Sequence, residues 1–342
     1  MNPLGNSGVL VGEAAALLAA FLWAAASLMF GRMGRQIAPL VLNLVKGVFA
    51  LAMLMLTILI QTGISEAPDL PLVAVTLLVL SGGLGIGLGD TAYFSAINTL
   101  GARKALLLET LAPPMSTVLA WVFLAERLPL SAIAGILITL LGIAWVISER
   151  VAGDPLPATK AGLRISLLAT FCQAAGAVLS RAALAETAVS PLWSSLIRLS
   201  AGLVFMAGLV IARPQYLEVK ASRPSVSKPS VSGPLVSEPS SEEYSSNGPS
   251  SNRWRAVMVL LKSPQLLVGV AIASFFATYL GIWLQQTALK YTATGIAQAL
   301  LATSPLFVLP IAAMLGEKIT QRAVLGVAIT LGGVWLLLYS SV

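Results

Sequence analysis

Long apolar stretches separated by short polar segments follow one another along the whole chain. Each is about 18 to 25 residues long, the length that an α-helix needs to cross a hydrocarbon core of ~30 Å. Such long continuous runs argue against a β-barrel, whose strands alternate apolar and polar residues over about ten positions. The pattern predicts an all-α membrane protein with ten transmembrane helices. We number these helices spans 1 to 10, with predicted limits 13–31, 37–61, 71–99, 104–125, 130–149, 161–185, 190–212, 263–288, 294–315 and 320–340.

The composition agrees with a membrane protein and excludes several kinds of chemistry. Hydrophobic residues make up 57% of the chain and charged residues only 10%, whereas a soluble domain carries roughly 25% charged residues. The chain has no histidine, which excludes histidine-based acid–base catalysis, Ser-His triads and histidine metal sites. The net charge of +7 lies mainly in the segments between spans, where it sets orientation in the membrane and does not indicate a nucleic-acid partner. We therefore predict an integral, multi-pass protein of the plasma or inner membrane, with no enzymatic activity and no cofactor.

The second half of the chain repeats the first. Ala96–Val146 aligns without a gap with Thr287–Leu337, and an earlier segment around span 2 aligns with one in span 7. Five spans per half is an odd number, so the second half must enter the membrane from the opposite side. We expect two inverted five-helix repeats, at 13–149 and 161–341, with a site near the bilayer midplane between them. The matched positions include Pro114 and Pro305, Glu126 and Glu317, Gly135 and Gly326, Gly142 and Gly333, and Lys46 and Arg198.

Residues 213–254 interrupt the second repeat and differ from the rest of the chain. Proline and serine dominate the segment, and it has little apolar surface to bury. Such a composition predicts a disordered loop between spans 7 and 8. A dispensable insertion and a docking or regulatory segment both remain open.

These paired motifs resemble the EamA-type ten-helix transporters of the drug/metabolite transporter superfamily. The resemblance rests on the basic residue of spans 2 and 7, on the proline followed by a glutamate in spans 4 and 9, and on the glycines of spans 5 and 10. It covers residues 13–341 apart from the insertion. It implies export of metabolites or drugs, with a central cavity lined mainly by spans 1, 3, 4, 6, 8 and 9. The acidic segment from Glu66 to Asp69 departs from relatives, which often carry basic residues there.

Ionisable residues within the spans are the first candidates for a site. Each costs roughly 2.5–3.5 kcal/mol to insert into a bilayer, so each requires a partner or a cavity. Lys46 and Arg198 stand at equivalent positions of the two repeats, where they could attract an anionic or zwitterionic substrate or form structural ion pairs. Asp90 and Glu109 could carry a proton for antiport, although Glu109 is equally suited to be a static partner of Lys46. Arg181 is a further charged residue of this kind.

Other polar and aromatic side chains could line the same cavity. Tyr93 shares a helical face with Asp90, because residues three apart are neighbours on a helix. Trp23 and Gln173 occupy nearly equivalent places in spans 1 and 6, although aromatic residues in membrane helices are more often packing residues. Gln285 and Gln286 lie in span 8, which corresponds to span 3.

Helix ends and helix breaks complete the set of candidates. Pro114 and Pro305 should kink or unwind spans 4 and 9, and breaks at matching positions of both halves point to a binding site. Pure structural kinking is the alternative. We interpret Glu126 and Glu317 as helix caps and interfacial anchors, not as substrate ligands.

A rival interpretation comes from Gly87-Leu88-Gly89-Asp90, which spells the Gly-x-Gly-Asp motif of intramembrane aspartyl proteases. That chemistry needs two carboxylates that share a proton, and the remaining aspartates, Asp69 and Asp154, fall outside the spans. A non-transporting scaffold or receptor is a further alternative. We predict a secondary transporter of small molecules that works by alternating access. Coupling to a proton or to solute exchange is expected instead of coupling to ATP, because the chain has no Gly-x-x-x-x-Gly-Lys-[Ser/Thr] sequence, and a homodimer stays open.

Orientation is a point on which two arguments disagree. Basic residues of short loops stay in the cytoplasm, and on the side of both termini only Arg127 and Lys290 lie outside the spans. The charges therefore predict termini outside and residues 213–254 in the cytoplasm, whereas the resemblance implies termini inside. We follow the charges, because they belong to this chain. The basic residues of the other short loops are Arg32, Arg35, Arg103, Lys104, Arg150, Lys160, Arg164, Lys318 and Arg322.

Overall fold

The computed structural model describes residues 5–33, 39–62, 70–100, 102–148, 159–185, 187–212, 263–314 and 320–341. These residues form helices joined by short turns, and no strand occurs among them. The predicted loop at 213–254, the acidic segment from Glu66 to Asp69, and Glu317 lie outside the described residues.

The helices follow the predicted spans closely. Within the described ranges, nine helical stretches are long and apolar enough to cross a membrane, and a shorter apolar stretch runs from Thr294 to Val308. The predicted all-α, ten-helix architecture is confirmed. The α-helices are α1 Gly5–Met33, α2 Pro39–Thr62, α3 Leu72–Ser81, α4 Asp90–Leu100, α5 Ala102–Glu109, α6 Ala112–Leu124, α7 Leu130–Ile147, α8 Lys160–Leu184, α9 Pro191–Ala212, α10 Pro264–Ser274, α11 Gly281–Tyr291, α12 Thr294–Leu301, α13 Ser304–Met314 and α14 Gln321–Ser341.

The first helix begins earlier than predicted. We predicted that span 1 starts at Glu13, because this charged residue opens the first apolar run. In the structure α1 begins at Gly5. Glu13 is only 1% exposed, so its side chain is buried against other parts of the protein. The early turns of α1 pack on the end of α11: Thr292 Oγ1 donates a hydrogen bond to the Val9 carbonyl at 3.3 Å. This packing extends the helix beyond the apolar run.

Spans 3 and 8 each contain a π-helical segment that the sequence analysis did not predict. Gly82–Gly89 joins α3 to α4, and Phe275–Leu280 joins α10 to α11. The two segments lie at matching places of the two repeats. A π-helical turn disturbs the regular hydrogen-bond ladder and is frequent at functional sites. The pair therefore marks the middle of spans 3 and 8 as distinctive in both halves.

Spans 4 and 9 are broken where the prolines predict. The fourth span divides into α5 and α6 at residues 110–111, and the ninth divides into α12 and α13 at residues 302–303. Pro113 and Pro114 then occupy the first turn of α6, and Pro305 occupies the first turn of α13. Proline fits a first turn, because its missing N–H has no partner there in any case. The ninth span is consequently two short half-helices and not one continuous helix.

Helix contacts recur in matching pairs across the two halves. Span 1 packs on spans 8 and 9, and its counterpart in the second half, span 6, packs on spans 3 and 4. Likewise, span 3 contacts span 7, and its counterpart, span 8, contacts span 2. Spans 2 and 7, 4 and 9, and 5 and 10 pack directly on each other. Two inverted repeats related by a pseudo-two-fold axis produce this pattern. Spans 5 and 10 contact each other through four glycines, because small residues let helix backbones approach closely. These are Gly135, Gly142, Gly326 and Gly333.

Candidate functional site

A polar cluster surrounds Asp90, directly after the π-helical segment of span 3. The Asp90 backbone N–H donates to the carbonyl of Gly85, which sets the start of α4. Gln173 Nε2 donates to Asp90 Oδ1 at 3.0 Å, and Asn43 Nδ2 lies 3.5 Å from Oδ2. Asn43 belongs to span 2 and Gln173 to span 6, so side chains of both halves meet on this carboxylate.

Two cations lie within electrostatic range of Asp90. They are Lys46 of span 2 and Arg198 of span 7, the pair that the repeat predicts to be equivalent. Asp90 is the charged group that acts on each of them. The structure therefore brings both predicted basic residues within electrostatic range of one carboxylate.

Arg198 is enclosed where spans 3, 7 and 8 meet. Its side chain is only 2% exposed, and its Nη1 donates to Gln285 Oε1 at 3.2 Å. Among the described residues, its Nε has no hydrogen-bond partner. Spans 3 and 7 approach closely here, because Gly82 packs on the Arg198 backbone and Gly202 packs on Ile86.

Gln286 follows on span 8 directly after Gln285, the residue that accepts from Arg198. Ser194 Oγ donates to Gln286 Oε1 at 2.8 Å, and Ser194 stands one helical turn before Arg198 on the same face. Gln286 is completely buried. Its Nε2 finds no acceptor in the part of the chain that the structure describes.

Tyr93 and Glu109 form a second pair next to Asp90. The Tyr93 hydroxyl is hydrogen-bonded to the Glu109 carboxylate, and Asp90 lies within electrostatic range of both. Glu109 is the last residue of α5, so the break in span 4 follows it directly. The break therefore places this carboxylate beside the cluster.

Trp23 packs between spans 1 and 8. Its indole Nε1 donates to the Ala277 carbonyl at 2.7 Å, inside the π-helical segment of span 8. Its ring lies against Gly281, where no larger residue would fit. The same π-helical segment is also attached to span 2, where a 2.8 Å hydrogen bond joins the hydroxyl groups of Thr57 and Tyr279. The Trp23 N–H thus binds the protein backbone, as a packing residue would.

The Gly-x-Gly-Asp motif has a packing role in this structure. Gly87 lies against Phe205 of span 7, and a methyl group at position 89 would lie 3.3 Å from the Cys172 Cβ of span 6. Both glycines belong to the π-helical segment and let spans 6 and 7 approach it. Tight helix packing accounts for them without a catalytic role.

A separate network, the Arg181 network, ties together several helix ends on the side of the N-terminus. Arg181 Nε lies 2.7 Å from Glu126 Oε1, and Arg181 Nη1 donates to the carbonyls of Leu289 and Lys290 at 2.9 and 2.6 Å. Glu126 Oε2 accepts from the Thr294 backbone N–H at 2.9 Å. Glu126 is a helix cap, as predicted, but it caps α12 of the other half. The network thus connects the ends of spans 4, 6 and 8 with the start of span 9.

Several hydrogen-bond partners of the candidate residues were not predicted from the sequence. Asn43 and Ser194 carry no charge, and nothing in their local sequence separates them from other small polar residues of the spans. Asn43 does lie three residues before Lys46, so a search for polar neighbours on that helical face would have found it. The pairing of Arg181 with Glu126 has no local signal, because the two residues belong to different halves.

Comparisons with known proteins agree with this architecture. The sequence model of the EamA-like transporter family matches residues 10–148 and 252–339, more than half of the chain. The chain therefore belongs to the EamA-like transporter family, within the drug/metabolite transporter superfamily, and is a membrane transporter. No curated protein sequence matches it. One similar solved structure carries the description "Crystal structure of protein". It is 17% identical in sequence, superposes with a TM-score of 0.67, and the match covers 97% of this chain and 96% of that one. At that identity the likeness shows the fold alone.

Proposed function

We propose that this protein is a secondary transporter that exports small metabolites, such as amino acids, or drugs, by alternating access. The halves 13–149 and 161–341 would move against each other around the Asp90 cluster. The observation that carries the proposal is the composition of that cluster, since the part-buried carboxylate of Asp90 is held by Asn43 of the first half and Gln173 of the second. A relative movement of the halves changes the surroundings of Asp90 directly. Charged groups buried in membrane helices mark substrate or ion pathways.

The Arg181 network supplies the closed end that alternating access needs. It joins Glu126 of the first half to Arg181 and Thr294 of the second. An opening at this end would have to break these bonds, and a return to the closed state would restore them. The broken spans 4 and 9 and the π-helical segments of spans 3 and 8 supply irregular backbone at matching positions, as transporters commonly do around their binding sites.

Coupling to protons is part of the proposal. Asp90 and Glu109 are neighbouring carboxylates within the spans, and the Tyr93 hydroxyl is bonded to Glu109. Acidic side chains of membrane helices form proton relays in many transporters. Exchange of a proton for a solute would let a proton gradient drive export.

Reconstitution tests the proposal. The purified full-length chain in proteoliposomes, loaded with a pool of labelled amino acids, is expected to move solute when a pH gradient is imposed. Lys46→Ala should slow this transport at least about tenfold, because it removes a positive charge that acts on Asp90, and a loss of ~1.4 kcal/mol already corresponds to a factor of ten. Arg164→Ala is the matched control, since it removes a positive charge from an exposed position of span 6. If solutes bind but none crosses the membrane, the protein is a receptor or scaffold and the proposal is wrong.

A further inference from the structure

We propose that Arg198 and Gln286 form the anchor for a carboxylate group of the transported solute. This inference rests on the proposed transport function and names the class of substrate for its central site. Arg198 stands where span 7 meets spans 3 and 8, which belong to different halves. A movement of the halves would therefore open the space beside its guanidinium group.

The first support is an unused Nε–H donor of the guanidinium group. Arginine presents five N–H donors in a planar fork, and two parallel N–H groups along one edge match the two oxygens of a carboxylate. In Arg198 the Nη1 donates to Gln285, whereas Nε has no partner among the described residues. A buried donor without an acceptor is costly. The Nε donor of Arg198 therefore calls for an acceptor that the described part of the protein does not supply.

The second support is the amide group of Gln286. Ser194 holds its oxygen, which leaves the Nε2 donor without a partner in the described ranges. The bond from Ser194 fixes the orientation of the amide, and Ser194 and Arg198 share one face of α9. Two unpartnered donors on completely or almost completely buried side chains thus stand at the contact between spans 7 and 8.

The third support is the balance of charge. Lys46 and Arg198 both act on Asp90, and both Asp90 oxygens already accept amide hydrogen bonds. Glu109 is bonded to Tyr93 and stands in electrostatic range of Asp90. Arg198 therefore brings a positive charge to this place, and the bond shown for its guanidinium group goes to the neutral amide of Gln285, so an anion would be attracted there. A carboxylate carries one negative charge on two coplanar oxygens, whereas a phosphate dianion would need more donors and more charge.

Gly85 lies against the guanidinium group of Arg198. A methyl group at this position would lie 3.0 Å from Arg198 Nη2 and 3.8 Å from Gln173 Oε1. Gly83 belongs to the same π-helical segment, but a methyl group there would meet no atom within 4 Å. The two glycines therefore form a matched pair, in which only one substitution touches the proposed anchor.

The binding test uses the purified full-length protein and defined probes. We measure the thermal shift produced by alanine, leucine, phenylalanine and succinate, and compare it with the shift produced by alaninamide, leucinamide and phenylalaninamide. The amides keep the ammonium group and lose only the carboxylate. We expect at least one carboxylate to raise Tm and its amide to have no effect. Glycerol 3-phosphate is included as the phosphate probe, and a larger shift with it than with any carboxylate would overturn the inference.

Variants then connect the binding to the anchor. Arg198→Lys keeps the charge and loses the planar fork, and Gly85→Ala places a methyl group against Nη2. Each should raise the Kd of the carboxylate at least about tenfold, the loss expected for one charge-assisted hydrogen bond. Gly83→Ala should change the Kd less than about twofold, since its methyl group meets open space. Equal effects of Gly85→Ala and Gly83→Ala would contradict the anchor, even if Arg198→Lys fails to fold.

Transport measurements separate this inference from the proposed function. If the protein moves amides or amines and ignores carboxylates, it is a transporter and the anchor is wrong. If it binds carboxylates through Arg198 and moves no solute, the anchor stands and the transport proposal is wrong. A protein that shows no shift with any carboxylate probe overturns the anchor.

Discussion

Glu126→Ala is expected to open the end of the molecule that the Arg181 network closes. The substitution removes two bonds at once: the 2.7 Å contact with Arg181 Nε and the 2.9 Å bond from the Thr294 N–H. A hydrogen bond to a charged group contributes about 1.5–3 kcal/mol. Both side chains of the ion pair are 17% exposed, so water replaces part of the loss, and we expect about 2–3 kcal/mol in total. This corresponds to a shift of roughly 30- to 150-fold in the equilibrium between the closed and open end.

A single cysteine measures this shift. Ala288 is completely buried and precedes Leu289, whose carbonyl accepts from Arg181. Ala288→Cys in a Cys172→Ser background is therefore expected to react slowly with a maleimide, and the added Glu126→Ala should accelerate the reaction by the factor given above. Arg127→Ala is the control, because it removes an exposed charge next to Glu126. Equal labelling rates with and without Glu126→Ala would show that the network does not hold this end closed.

Three further predictions concern coupling, the insertion and orientation. Asp90→Asn or Glu109→Gln should abolish pH-driven transport in proteoliposomes while solute exchange persists; unchanged pH dependence in both variants would rule out a coupling role. Deletion of residues 213–254, with a short linker in their place, should leave a protein that assembles in the membrane and transports, and loss of assembly would contradict the interpretation as a dispensable loop. A cysteine placed within 213–254 in a Cys172→Ser background should stay unlabelled by a membrane-impermeant thiol reagent on intact cells, as the loop charges predict; labelling would reverse the orientation.

The sequence by itself determined the number of spans, their approximate limits and the repeat. These features follow from composition and order along the chain, because a spanning segment must be apolar and must satisfy its own backbone hydrogen bonds. The breaks in spans 4 and 9 were predictable for a similar reason, since Pro114 and Pro305 cannot take part in a regular helix interior. Lys46, Asp90 and Arg198 stood out as candidates because charged residues are rare and expensive within a bilayer.

Only the tertiary structure decided which of these residues meet. The contact between Asp90 and Gln173, and that between Arg181 and Glu126, depend on the rotation and crossing of helices that are distant in sequence. Glycines such as Gly89 and Gly176 let spans 3 and 6 approach each other closely, and the groups opposite them cannot be identified from the glycine positions alone. The π-helical segments gave no signal in the hydrophobic pattern. Only the folded protein shows that Nε of Arg198 and Nε2 of Gln286 have no hydrogen-bond partner among the described residues, because a missing partner depends on all the groups that surround an atom.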